Sequence, residues 1–170
     1  MLKFLLLIFI SLLLFISCGP RPDELSTAEI AKEKEEIIAT IKAFNKAMEQ
    51  ERFEGLVPYL SEDVIFFGTD SSEIIKSLSD FKKAITEQFN AVENLTYGEM
   101  SDVSIQMDSR GTLASIIFGI PTTYKMVGAP SPESYFFRVN RTLKKEGGKW
   151  VIVSGIVSIA RTGKPIQQEP

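Results

Sequence analysis

Residues 146–153 read Glu146-Gly147-Gly148-Lys149-Trp150-Val151-Ile152-Val153. Two glycines in succession reach the left-handed backbone conformations that a tight hairpin demands, and here they separate two stretches rich in β-branched and aromatic residues. The turn therefore joins a strand at about Tyr135–Lys144 to a final strand at about Val151–Ala160. Upstream, Asp108-Ser109-Arg110-Gly111 is a second such turn, between strands at about Leu95–Met107 and Leu113–Lys125. A longer link at Val127–Glu133, with Pro130 and Pro132, joins the two pairs. The second half of the chain thus reads as four long strands in antiparallel succession.

The first half has a different period. Ser26-Thr27-Ala28-Glu29 fits a capping box, in which a serine and a glutamate three residues on satisfy each other's backbone donors. The helix that follows sets Ile37, Ile41, Phe44 and Met48 on one face and a run of lysines and glutamates from Lys32 to Lys42 on the other, a solvated face. A short helix at about Phe53–Leu60, disturbed by Pro58, precedes a compact apolar strand, Val64–Phe67. Gly68-Thr69-Asp70-Ser71-Ser72 reads as a turn and cap leading into a short helix near Glu73–Lys76, and another helix covers about Asp80–Ala91. Helices followed by antiparallel strands predict an α+β domain with three or four helices against one sheet.

The N-terminus is not part of that domain. Lys3 is followed by an almost unbroken apolar run from Phe4 to Ile16, then Ser17 and Cys18, then an abrupt polar change at Gly19-Pro20-Arg21-Pro22. Charge, short apolar stretch, small residue and polar break are the parts of a secretory signal, and the run falls short of a membrane span. Phe15-Ile16-Ser17-Cys18 resembles the lipobox of bacterial lipoproteins, with Phe15 where a leucine is usual. The expected organisation is a signal peptide over 1–17, a lipidated tether over 18–28 beginning at Cys18, a domain over 29–161 and a tail over 162–170. The resemblance implies acyl chains on Cys18, a cell-envelope location outside the cytoplasm and, from Gly19 where an aspartate would signal retention, the outer membrane.

Composition excludes several chemistries. The 170 residues contain no histidine and one cysteine, with a formal charge of −3. Histidine-based triads and imidazole metal sites are absent, and a lipidated Cys18 leaves no thiol for a disulfide. No metal spacing, phosphate loop or nucleophile motif is visible, so neither metal nor cofactor is expected. Without a basic stripe, no nucleic-acid partner is expected either.

The order of elements is similar to the NTF2-like superfamily: a cone of curved antiparallel sheet around helices, enclosing a cavity. Val64 to Glu73, with its Gly68-Thr69-Asp70 turn, and Arg138 to Val153, with its Gly148-Lys149-Trp150 entry into the last strand, look like SnoaL-like domains. Many relatives carry histidines a few residues after that tryptophan; here Ser154, Gly155 and Ile156 stand there, so any histidine-dependent activity is not carried over. The resemblance implies a cavity role for Arg138, on the strand face it shares with Asn140, although the same face reads without the family as simply the wetter one. Ser154, Tyr59, Tyr97 and Tyr124 are further candidates, since a buried tyrosine needs a partner for its hydroxyl. Packing explains the tyrosines and Trp150 equally. Asp70 and Thr69 read as helix caps. Glu99 is a candidate carboxylate at the cavity rim or an exposed strand end.

These residues point to a membrane-anchored module that binds a small apolar ligand or a protein partner. An isomerase or cyclase independent of histidine is the alternative, and it lacks an obvious carboxylate base. A third reading is a structural homodimer. The last strand is apolar on both parities, with Trp150, Ile152 and Ile156 on one and Val151, Val153 and Val157 on the other, so its outer face calls for a cover.

Overall fold

The computed structural model describes residues 24–69 and 73–159. Helix α1 (Thr27–Met48) starts at the expected capping box: Ser26 Oγ accepts from Glu29 N at 3.3 Å, and Ser26 N donates to the Glu29 carboxylate at 2.8 Å. Its buried face is Ile37, Ile41, Phe44, Ala47 and Met48, the stripe that helical spacing predicts. Two short 3-10 turns, Phe53–Gly55 and Val57–Tyr59, lead into β1 (Leu60–Phe67). Then come β2 (Ile74–Ile75), α2 (Leu78–Ala91), β3 (Val92–Tyr97), β4 (Ser101–Met107), β5 (Leu113–Met126), β6 (Glu133–Glu146) and β7 (Lys149–Ile159).

The strands form one seven-stranded sheet in the order β2-β1-β7-β6-β5-β3, with β4 also paired to β5. Its hairpins close on the expected glycines: Gly111, Gly147 and Gly148 have φ of 64°, 55° and 81°. The core runs from Ile37 to Ile152 and lies between the helices and the concave face of the sheet. The class is α+β.

Four local expectations are corrected. The sheet is mixed, because β1 lies parallel to β7 (Leu60 opposite Ile152, Phe67 opposite Ile156). The meander β5–β6–β7 leaves one free edge on β7, and β1 fills it from the far end of the sequence, a pairing that no local pattern encodes. The segment after residue 72 forms β2 rather than a helix, with Ile74 and Ile75 opposite Phe67 and Phe66. The helix start moves to Ser77, whose Oγ accepts from Asp80 N at 3.0 Å. The stretch at Phe53–Leu60 makes only 3-10 turns around Pro58, and Leu60 already belongs to β1. The strand expected at Leu95–Met107 is broken at Gly98–Met100 into β3 and β4, which share the same edge of β5.

A fifth correction concerns β7. The register between β6 and β7 slips between Thr142 and Leu143, which pair with Ser154 and Ile152. One extra residue reverses the alternation beyond it. Val157 therefore joins Trp150 and Ile152 on the concave side, while Ile156 turns outward and is 54% exposed. The leader, Cys18, the tail and Asp70 lie outside the described residues.

Candidate functional site

Between α1, α2 and the sheet lies a cavity of about 770 Å³. Its walls are largely apolar: Phe66, Phe81, Phe118, Ile120, Phe137 and Val139 are among them. The polar groups fall into two sets. Arg141, Tyr97, Thr122 and Tyr124 project from the sheet and Asn45 comes from α1, while Thr69, Glu73 and the α2 residues Asp80, Lys83, Glu87 and Gln88 are exposed. Apolar walls with a handful of placed polar groups are the usual make-up of a small-molecule site.

Arg141 is the charged group of the sheet wall. It shares the concave face of β6 with Phe137 and Val139, and across the sheet it pairs with Ile116 on β5 and Gly155 on β7. Gly155 is required there, since a Cβ would fall on the Arg141 guanidinium. The absent side chain lets the guanidinium cross β7 and rest 5.0 Å from the centroid of Phe66, which packs in turn on Phe81. Nη1 donates to two backbone carbonyls, Asn140 O at 3.1 Å and Ile156 O at 3.4 Å. Among the described residues no carboxylate pairs with it. Burial lowers its pKa to about 10, against the pull of Tyr97. It still carries its charge at neutral pH.

Tyr97 lies between this cavity and a smaller dent of about 300 Å³ that includes Lys42, Lys46, Glu49 and Glu99. Burial pushes its phenol up to about 12, Arg141 opposes the rise and Glu49 adds to it. The hydroxyl is therefore protonated at neutral pH and can donate. Glu49 accepts from Tyr97 N at 2.9 Å and from Lys46 Nζ at 2.8 Å. Burial resists its charge, but these bonds hold its carboxyl below the usual range.

The other candidates divide clearly. Tyr124 lines the cavity and stacks on Tyr135, with centroids 5.6 Å apart. Tyr59 packs against the core at the end of its 3-10 turn and is not among the cavity-lining residues. Arg138, Asn140 and Ser154 sit on the convex side. Arg138 is exposed opposite Gly119, Asn140 donates to Ser115 Oγ at 3.3 Å, and Ser154 pairs with Thr142. Glu99 is an exposed rim residue, 3.7 Å from Lys42. Trp150 is core, and its Nε1 donates to Glu33 at 2.7 Å. Thr69 is exposed on the cavity wall, its N–H held by Glu73 at 2.7 Å.

Among the polar cavity residues of the sheet, Arg141 and Thr122 escaped the sequence reading, as did Asn45 on α1. The signal for the two strand residues was the alternation itself. Arg141 has the parity of Tyr135, Phe137, Val139 and Leu143, and Thr122 that of Phe118 and Ile120. A polar residue on an otherwise apolar strand face is the informative one.

No group of three or more metal-ligating side chains occurs among the described residues. The acidic residues on the cavity wall, Glu73, Asp80 and Glu87, are all exposed.

The sequence pattern of the SnoaL-like domain matches residues 37–162. The chain belongs to the SnoaL-like domain family. No curated protein sequence matches it. Solved structures share the fold at low identity. A candidate scytalone dehydratase from Novosphingobium aromaticivorans superposes with a TM-score of 0.72 at 14% identity, over 85% of this chain and 100% of that one. A candidate dehydratase of the NTF2-like family from Streptomyces avermitilis gives 0.65 at 14%, over 75% and 96%. A type 2 hexachlorocyclohexane dehydrochlorinase gives 0.70 at 7%, over 80% and 90%. This SnoaL-like chain therefore has the NTF2-like cone, and its chemistry has to be read from its own cavity.

Proposed function

We propose that this SnoaL-like protein is an envelope lipoprotein whose cone binds a small, largely apolar ligand carrying an anionic group. The observation that carries the reading is Arg141: a cation on the wall of an apolar cavity, with backbone carbonyls and an aromatic face for company and no carboxylate partner among the described residues. A half-buried charge without a counter-ion is less well stabilised than one in water, and an incoming anion supplies that counter-ion. Tyr97 adds a second donor. Mass spectrometry of small molecules extracted from the purified, unlipidated protein tests this. An acidic, mostly hydrocarbon species bound by the wild type and lost from Arg141→Met is expected. A stoichiometric basic or strongly polar species would contradict it.

The lipid anchor rests on the leader ending in Ser17-Cys18. Cys18→Ala is expected to accumulate as a precursor without lipid label, and normal maturation of that variant would dismiss the anchor. The described chain enters beside the β4–β5 turn, where Leu25 N donates to Ser109 O at 2.8 Å. Phe44 and Met48, on the cavity wall, lie about 30 Å further along α1 at ~1.5 Å per residue. An anchored domain would thus hold its cavity away from the tether.

A second reading, an enzyme of the elimination or isomerisation kind, draws on the names of the structural neighbours and on the Tyr97 and Arg141 donors, which suit a developing oxyanion. It needs a base, and the acidic residues of the cavity wall are exposed. A homodimer through the convex face is also proposed. Ile65, Ile117 and Ile156 are exposed there, with Asn140 between Ile117 and Ile156 and with Ser154 and Ser158 on β7.

A further inference from the structure

Thr122 is a second polar group of the sheet wall, apart from Arg141. It lies on the concave face of β5, lines the cavity and is 1% exposed. Its Oγ1 is the one buried side-chain polar atom among the described residues that has no hydrogen-bond partner. A hydroxyl taken from water and left unpaired is unfavourable, so an orphan on a cavity-lining residue marks a position where something else can complete it.

Arg141 pairs with Ile116 across β5 and β6, while Thr122 pairs with Tyr135. The wall between these two levels is apolar, formed by Phe118, Ile120, Phe137 and Val139. The strand between the levels measures roughly 20 Å at ~3.3 Å per residue. Tyr97, directly opposite Thr122 on β3, also lines the cavity at that level. The cavity therefore has a charged post, an apolar floor and an uncharged post, in that order.

We propose that the ligand is a two-ended organic anion: an apolar body with a carboxylate or similar single negative group against Arg141, and an uncharged hydroxyl or carbonyl against Thr122. The inference rests on the cavity-binding reading above and adds the far end of the ligand. Thr122 both donates and accepts, so it takes either group. A plain fatty chain would leave it orphaned, whereas a hydroxylated one would complete it.

The test uses residues 24–170, which retain the whole core from Ile37 to Ile152. The neutral dye N-phenyl-1-naphthylamine is bound, then displaced by straight-chain carboxylic acids of eight, ten and twelve carbons, by their ω-hydroxy counterparts and by the parent alcohols. At one or more lengths the ω-hydroxy acid is expected to displace the dye at about five-fold lower concentration than the plain acid. The sign is diagnostic, because a hydroxyl added to a hydrocarbon chain ordinarily weakens its entry into an apolar site. In Thr122→Val, of nearly the same shape, the plain acid should win while dye and plain acid still bind. Plain acids that bind as well or better at every length, or a Thr122→Val variant with an unchanged ratio, would overturn the proposal. The underlying reading fails separately: acids without advantage over alcohols, in wild type and Arg141→Met alike, would remove the anion, and a dye that does not bind would remove the cavity site and this inference with it.

Discussion

Two cations project from the concave face of β6, and their surroundings are opposite. Lys145 is fully occupied. It forms an ion pair with Glu33 on α1 and lies 5.5 Å over the ring of Trp150, whose Nε1 donates to the same carboxylate at 2.7 Å. Arg141, further along the strand toward the cavity, has two backbone carbonyls and the ring of Phe66. Both cations stand among apolar neighbours. At one end of the cone a charge fastens helix to hairpin, and at the other a charge is kept available. A buried charge that is paired reports on architecture. One left without a counter-ion reports on what the protein binds.

The largest effect is expected where α1 packs beside the Lys145 pair. Ile37 is fully buried beside the Glu33 cluster, so Ile37→Ala should destabilise the domain by about 2–5 kcal/mol in urea unfolding. A change near zero would mean that α1 is not packed as described.

Glu33→Gln comes next. It removes the charge that Lys145 and Trp150 share, and about 2 kcal/mol of lost stability is expected from the same unfolding measurement. The pH dependence has a definite sign. Burial works against ionisation of Glu33, yet the hydrogen bonds from Lys145 and Trp150 and the nearby lysine charges outweigh it and hold its carboxyl below the usual value of 4.5. A lowered pKa contributes stability that is present above the unfolded value and is lost as pH falls through the folded one. Wild type should therefore weaken as pH drops below about 4.5, and Glu33→Gln should lose less over the same range. Parallel acid unfolding curves would count against the pairing.

Arg141→Met sharpens the contrast. Truncating a cation that has a carboxylate partner destabilises, whereas removing one that lacks it should be neutral or stabilising, by up to about 1 kcal/mol, in the ligand-free protein. A loss comparable to that of Glu33→Gln would show Arg141 to be structural. The smallest effect on stability is expected at the convex face. Ile156→Glu should leave unfolding within about 0.5 kcal/mol of wild type. If the convex face joins two copies, light scattering should report a monomer for this variant and a dimer for the parent.

The sequence by itself determined the parts of this protein whose causes are local. The capping box at Ser26, the buried stripe Ile37, Ile41, Phe44 and Met48, and the glycine turns at Gly111 and Gly147-Gly148 all appear where the chain announces them, because neighbours within a few residues satisfy them. The tertiary structure alone decided the rest. The Ile-Ile pair at 74–75 became a strand because Phe66 and Phe67 offered it an edge, and β1 lay parallel to β7 because the meander left an edge there for it. The candidate cavity arginine changed from Arg138 to Arg141 once the concave face of β6 was fixed, since adjacent odd and even positions on a strand face opposite ways. One bulge in β7, with no signature of its own in the sequence, sent Ile156 out and Val157 in. Alternation along a strand is written in the sequence. Which of its two faces looks into the cavity depends on pairings between residues far apart in the chain.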